Sequence, residues 1–312
     1  MGASVTCFDH RIRQTVTAAG LAWFAVFARA PASTANLGPG FDALAIALDL
    51  AVEVGVEPAD RLSVSADGEG AELPTDSTHL AARVAVMVTG HDRWAITVRS
   101  EIPVGRGLGS SAALAAAAAA AAGAADPLAV ATEVDGHPEN AAASVLGGLI
   151  AASLVDGQAV AHRLPLDPAL AFVVLVPDQP LPTVEARRAL PAEVPHRDAA
   201  FNLSRMGILI AGLADRERLI AAATDDRLHQ AARTTLFPEA PKLLDGLLAA
   251  GALASCWSGA GPSVLAICNG DTAPSVREAG EMILSDAGVA GRALLVRPDL
   301  RGLQVYDQPN KE

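Results

Sequence analysis

The sequence predicts an α+β fold built as two domains, and three observations carry that expectation. Strand-like and helix-like segments are mixed without the strict alternation of a parallel α/β sheet. Residues 48–65 alternate apolar and polar side chains as half-buried antiparallel strands do. A break falls at residues 155–170, where Asp156-Gly157 and the stretch Pro165 to Pro168 interrupt the pattern. With 312 residues, 51% of them hydrophobic, the chain can bury two cores of ordinary size. The divisions expected are a poorly ordered extension over 1–24, a first domain over 25–160 and a second over 161–312, the last strand free to pack back on the first domain.

In order, Ala25 to Arg29 reads as a first strand, and Leu48 to Glu57 and Arg61 to Ser65 as two more. Thr78 to Thr89 places Leu80, Val84, Met87 and Val88 at helical spacing before Gly90, a C-cap. Trp94 to Val98 is a strand. Ala112 to Ala122 is almost pure alanine, the strongest helix former, and its small side chains let it lie close to neighbouring backbone. Ala141 to Ser153 turns at Gly147-Gly148 into a strand, and Phe172 to Val176 is a buried strand. Thr183–Leu190, Asp198–Leu213, Arg216–Thr224, Asp226–Leu236 and Pro238–Ala250 read as successive helices. Strands at Ala254–Trp257 and Val264–Cys268, a helix over Ala273–Ala287 and a strand at Ala293–Val296 complete the chain.

Composition excludes several classes of function. Acidic residues outnumber basic ones, 35 to 23, and no basic run exceeds Arg187-Arg188, so a nucleic-acid partner is not expected. The alanine tract is too short and too weakly hydrophobic to span a bilayer. Cys7, Cys256 and Cys268 are too scattered for a disulfide framework or a zinc site, which favours a reducing, cytoplasmic setting. Arg11 and Arg13, the apolar stretch Leu21 to Phe27 and then Ala28-Arg29-Ala30 imitate a secretion signal, but cleavage there would remove the first strand.

Three loops carry the chemistry. In Pro103-Val104-Gly105-Arg106-Gly107-Leu108-Gly109-Ser110-Ser111-Ala112 the glycines open backbone N–H groups to an anion at a helix N-terminus. The two serines can donate to phosphate or ligate Mg²⁺. The loop lacks the lysine of a Walker A motif; as a plain turn it would need Ser110 only as a helix cap. The stretches Pro31 to Asp42 and Ser258 to Ser263, rich in small, polar and glycine residues, read as further binding loops.

These three segments, in this order, resemble the signature motifs of the GHMP kinases. Pro31-Ala32-Ser33-Thr34-Ala35-Asn36-Leu37-Gly38-Pro39-Gly40-Phe41-Asp42 is similar to the homoserine kinase branch in particular, as are Gly136-His137-Pro138-Glu139-Asn140, Thr183 to Arg187 and Asp226 to Arg233. The resemblance covers roughly residues 26–300. It implies a ribosomal-protein-S5-like N-terminal domain, a ferredoxin-like C-terminal domain, ATP and Mg²⁺, L-homoserine as phosphate acceptor, and, since dimers are common in the family, the option of a homodimer.

The resemblance also implies roles. Arg187 and Arg233 clamp the acceptor carboxylate, Asp42 takes its ammonium, and Asn36, His137, Asn140 and Thr183 orient the rest. Gly259 and Gly261 let backbone approach the acceptor, and residues 103–112 with His79 hold the nucleotide. Asn36, Ser110, Asn140 and Arg187 stand closest to the chemistry. Asn140 occupies the place where other members have aspartate, so the hydroxyl proton is expected to leave to phosphate or solvent. Mg²⁺ is expected on Ser110 with Asp135 or Glu133. Departures from the family pattern are Asp135 and Glu139 in the Gly-His-Pro motif, His79 for asparagine, and Ala231-Ala232 for Pro-Tyr. A different GHMP small-molecule kinase and an inactive ATP-binding paralogue are the rival readings.

Overall fold

The computed structural model describes residues 25–307 in full and the backbone of 15–17 and 20–22. Apart from the short antiparallel pair β1 (Thr15–Thr17) and β2 (Gly20–Ala22), the extension expected over 1–24, with Cys7, lies outside the described residues. The chain continues through β3 (Val26–Asn36), β4 (Gly40–Pro58), β5 (Ser63–Gly68), α1 (Leu80–Thr89), β6 (Trp94–Ser100), α2 (Ser110–Ala121), α3 (Pro127–Asp135) and α4 (Pro138–Leu146). Then follow β7 (Leu149–Val155), β8 (Gln158–Leu164), β9 (Leu170–Pro177), α5 (Thr183–Arg188), α6 (His196–Ala214), α7 (Gln230–Arg233), α8 (Ala240–Ala249), β10 (Ala254–Trp257), β11 (Val264–Asn269), α9 (Ala273–Asp286), β12 (Gly291–Val296) and β13 (Gln304–Tyr306). One mixed and one antiparallel sheet with helices packed on them make this an α+β fold.

The first sheet is organised by β4. β3 pairs along it antiparallel, its later half pairs β6, and its earlier half pairs β7. The strand order is β13-β3-β4-β6-β5, with the β7–β8 hairpin attached beside β4. A second sheet, all antiparallel, runs β10-β11-β9-β12. β9 is buried on both faces, which is why it reads as a continuous apolar run. Phe172, Val174 and Val176 face the large core shared with the first sheet, whereas Ala171, Val173 and Leu175 face a smaller core under α8 and α9.

The alanine helix α2 lies against β3 and β4 and touches α1, α3 and α4. Alanines 115 to 119 along it have no exposed surface. Only small side chains permit so many neighbours around one helix, and this packing anchors α2 behind the glycine loop that leads into it.

Four differences from the sequence expectation have physical causes. Residues 31–36, expected as loop, continue β3; register shifts at Pro31/Ala32 and Ala35/Asn36 accommodate the proline and end the pairing at a tight turn. The two helices expected over 216–236 are reduced to 3₁₀ turns at Arg216–Arg218 and Ala221–Thr224 and the single turn α7. Here aspartates compete for backbone donors: Asp215 accepts from Glu217 N, and Asp226 accepts from the N–H groups of Leu228, His229 and Gln230. The Asp156-Gly157 break is the two-residue turn of the β7–β8 hairpin, both residues having positive φ, so residue 160 lies inside β8. A short strand that the sequence does not predict, β13 over 304–306, pairs with β3.

Candidate active site

The loop between β6 and α2 places its glycines with a simple rule: Gly105, Gly107 and Gly109 all have positive φ, at 68°, 76° and 65°. Alternation of left-handed glycines with ordinary residues turns successive N–H groups toward one side, an anion-binding concavity at a helix N-terminus. Gly109 occupies the N-cap and no side chain caps the helix, so the Ser110 hydroxyl is not used for capping.

The other motifs hold this loop in place. Ser33 N donates to Leu108 O at 3.1 Å, and Ser258 Oγ donates to Gly107 O at 2.8 Å while lying 2.9 Å from Thr34 Oγ1. Gly259 N donates to Ala35 O, and Gly259 O accepts from both Asn36 Nδ2 at 2.7 Å and Arg233 Nη1 at 2.9 Å. One peptide thus joins the first motif, the last motif and α7.

A cavity of about 200 Å³ opens where these segments meet, lined by the loop, Asn36, Asp135, His137, Glu139, Asn140, Thr183, Arg187, Arg233 and Gly259. A wider depression of about 540 Å³ at the far end of the first sheet, between Pro58 and Trp94, is shallow. It is lined by Pro58, Ala59, Asp60, His91, Arg93 and Trp94, none of them from the three glycine-rich motifs.

The left-handed backbone at Asn36, Leu37 and Asp42, with φ of 73°, 45° and 53°, is uncommon for residues with a Cβ. It folds the turn back so that Asn36 Oδ1 accepts from Asp42 N and the Asp42 carboxylate reaches across to α5. There it meets Arg187 in a fork, Nη2 to Oδ1 at 2.6 Å and Nη1 to Oδ2 at 3.1 Å. The Phe41 ring lies 5.6 Å from the Arg187 guanidinium carbon and 5.4 Å from that of Arg233. Asn140 Oδ1 accepts from Ser33 Oγ, which leaves the Asn140 amide N–H groups as donors. His137 Nδ1 lies 3.1 Å from Asp135 O; burial, followed by the Arg187 charge, lowers its pKa.

Several anticipated residues lie elsewhere. Arg106 turns back to donate to the carbonyls of Val104, Pro177 and Asp178, so its charge is not free for phosphate. His79 is buried as the N-cap of α1, its Nδ1 accepting from Ala81 N at 3.2 Å. Pro103 and Ala112 are buried and do not line the cavity. Gly261 is glycine because a Cβ there would strike the Trp257 ring, which is packing and not an approach to ligand. Glu133 is exposed and does not line the cavity, whereas Asp135 does. Two positions apart on a helix, the pair points about 200° apart. Gly259 is a ligand of Asn36 and Arg233 before it can be one of substrate.

Glu139 is the residue that sequence reasoning missed. It is 2% exposed, Oε2 has no hydrogen-bond partner, and it lines the cavity. Burial pushes its carboxyl up to about 7, with Asp42 and Asp135 adding like charge; burial likewise pushes Asp135 up to about 6. Both carboxyls hold a proton more tightly folded than unfolded. The ligand-free protein therefore loses stability as pH rises from the ordinary carboxylate range through about 7, by up to about 1.4 kcal/mol per pH unit for each group. Glu139→Gln is expected to flatten this slope, so thermal melts of the variant between pH 5 and 7.5 should shift less than those of the parent. An equal shift in both would show that Glu139 ionises freely.

Residues 78–148 match the family description "GHMP kinases N terminal domain" and residues 209–281 match "GHMP kinases C terminal". The chain is 42% identical over 270 residues to the homoserine kinase of Streptomyces coelicolor, covering 81% of this chain and 87% of that one. It is 38% identical over 303 residues to that of Leifsonia xyli, covering 90% and 91%. The solved structure of homoserine kinase from Cytophaga hutchinsonii is similar with a TM-score of 0.80 at 25% identity, over 90% of this chain and 97% of that one. L. major mevalonate kinase shares the fold at a TM-score of 0.61 and 13% identity, over 85% and 94%.

Proposed function

The chain belongs to the GHMP kinase family, within its homoserine kinases, and from that premise we propose how its residues move the γ-phosphoryl group of ATP to the side-chain hydroxyl of L-homoserine, giving O-phospho-L-homoserine on the route to threonine. The observation that carries the acceptor assignment is the Asp42–Arg187 fork beside the glycine loop. These two charges satisfy each other. A zwitterionic amino acid can exchange into the pair without leaving net charge behind, its carboxylate taking Arg187 and Arg233 and its ammonium taking Asp42. An acceptor without an ammonium would separate the pair and leave Asp42 unmatched, which discriminates against mevalonate-like alcohols.

Phosphoryl transfer asks mainly for positioning and charge neutralisation. The loop N–H groups and Ser110 receive the phosphates, whose cradle opens into the cavity of about 200 Å³. Asn140 offers donors, so it orients oxygen and cannot take a proton. The acceptor oxygen forms its bond to Pγ as the bond from Pγ to the β-phosphate oxygen breaks, ADP leaves, and the hydroxyl proton passes to the transferred phosphate or to solvent.

Among the described residues no cluster of three or more His, Cys, Asp or Glu side chains forms a self-sufficient metal site. That suits Mg²⁺ carried in on phosphates, which uses one or two carboxylates. The unpartnered Oε2 of Glu139 and the desolvated Asp135 fit such an ion, with Ser110. When bound, the ion would neutralise phosphate charge. The buried free thiols of Cys256 and Cys268 suit a cytoplasmic setting, and no described helix is long and apolar enough to cross a membrane.

The test is a coupled ADP-release assay with Mg²⁺-ATP and L-homoserine, L-threonine, L-serine, mevalonate or no acceptor. Release that depends on homoserine, with mevalonate inert, is the expected result. Turnover on another alcohol would overturn the acceptor assignment, and silence with every acceptor would favour an inactive paralogue.

A further inference from the structure

His229 is 1% exposed and does not line the cavity, yet its surroundings determine its hydrogens completely. Nδ1 lies 3.0 Å from Nη1 of Arg233, and a guanidinium only donates, so Nδ1 is an acceptor. Nε2 lies 2.8 Å from the carbonyl of Gly38, which only accepts, so Nε2 carries the proton. The backbone N–H of His229 is held by Asp226 Oδ2 at 2.8 Å, and its ring stacks on Phe41 at 5.1 Å. Burial, against the opposing charge of Asp226, lowers its pKa to about 4, in keeping with a neutral ring between a cation and a carbonyl.

The consequence falls on Arg233, itself 1% exposed. Its Nη1 is shared between His229 Nδ1 and Gly259 O, two acceptors that fix the plane of the guanidinium while the side chain lines the cavity. Without an acceptor at Nδ1, the same guanidinium would keep one anchor and could rotate about it. The imidazole also ties that guanidinium to the turn at Gly38, two residues from Asn36 and four from Asp42.

We propose that His229 is a positioning residue, a neutral Nε2–H imidazole that orients Arg233 toward the acceptor carboxylate and locks it to the Asn36–Asp42 turn. This rests on the assignment of Arg233 to the carboxylate in the preceding section. His229 touches no reacting atom and acts through Arg233 alone.

His229→Phe retains the ring volume and the stack on Phe41 but removes the acceptor; His229→Asn can restore an acceptor near Nδ1. The phenylalanine variant is expected to raise the KM for L-homoserine by about ten- to a hundred-fold, in line with loss of a hydrogen bond to a charged group. Its KM for ATP should stay within about two-fold, and the asparagine variant should recover most of the loss. An unchanged homoserine KM in His229→Phe, or a parallel rise for ATP, would overturn the proposal. ¹⁵N NMR of histidine-labelled parent protein gives a readout independent of turnover and of variant folding: a neutral Nε2–H tautomer that persists from pH 5.5 to 8 is expected, and an Nδ1–H tautomer or an imidazolium in that range would also overturn it. Parent protein that fails to phosphorylate homoserine sinks the acceptor assignment separately, and the tautomer still decides whether His229 can act on Arg233 as described.

Discussion

Arg187→Ala is expected to raise the KM for L-homoserine by about 10- to 150-fold, the equivalent of a charge-assisted pair worth roughly 1.5–3 kcal/mol, and to leave the KM for ATP nearly unchanged. The guanidinium lies on the last turn of α5, across the cavity from the glycine loop, and its partner in the ligand-free site is Asp42, not any residue of that loop. On the proposed assignment, truncation removes a carboxylate ligand of the acceptor and leaves Asp42 without its fork, while the glycine-loop backbone is untouched. Arg187→Lys is the informative control, because it keeps the charge and loses the planar two-point geometry. Steady-state kinetics with each substrate varied in turn measures the split. A lysine variant indistinguishable from the parent would show that charge alone suffices, and an equal rise in both KM values would move Arg187 out of the acceptor site.

Gly107→Ala is expected to cost at least about 100-fold in kcat/KM for ATP, because a displacement of the loop on the order of 1 Å is enough for such a loss. Gly107 has a φ of 76°, and a Cβ there would fall on the carbonyl oxygen of Ser258, with Gly261 N 2.9 Å away. The methyl group must push apart the two loops that Ser258 Oγ holds together through Gly107 O. Kinetics with ATP varied at saturating homoserine, beside a thermal melt, separates a displaced loop from an unfolded protein. A variant with near-parental kcat/KM would show that the contact between the loops does not position the phosphates.

Much of this arrangement was legible in the residues because it depends on local chemistry. The glycine spacing 105-107-109 announces left-handed backbone, the alanine run announces a helix that others crowd, and Asn36 to Asp42 announces a turn that is hard to build for any other reason. What was not legible depends on which way a side chain faces after packing. An arginine inside a phosphate loop reads as a phosphate ligand, yet Arg106 is drawn off by three carbonyls supplied from its own loop and from the end of β9. A glutamate in the first turn of a helix is ordinarily a solvated partner of the helix dipole; Glu139 is instead 2% exposed and feels the charges of Asp42 and Asp135, a tertiary fact. His79 looked available for nucleotide until α1 used it as a cap.

The peptide at Gly259 has a consequence for how the protein comes into being. Asn36 and Gly259 are separated by 223 positions along the chain, and the hydrogen bond between them belongs to the same junction that receives Arg233. Contacts so distant form late, after the entropy of closing a long loop has been overcome. A nascent chain with β3 to β8 already paired would still lack the junction, so Arg233 would miss its Gly259 anchor and the glycine loop its Ser258 brace. Catalytic competence in such a molecule arrives with the completion of the fold: a chain cut short before β10 would keep Asp42, Arg187 and Arg233 but lose the Gly259 carbonyl that anchors Arg233 and the Ser258 hydroxyl that braces the glycine loop.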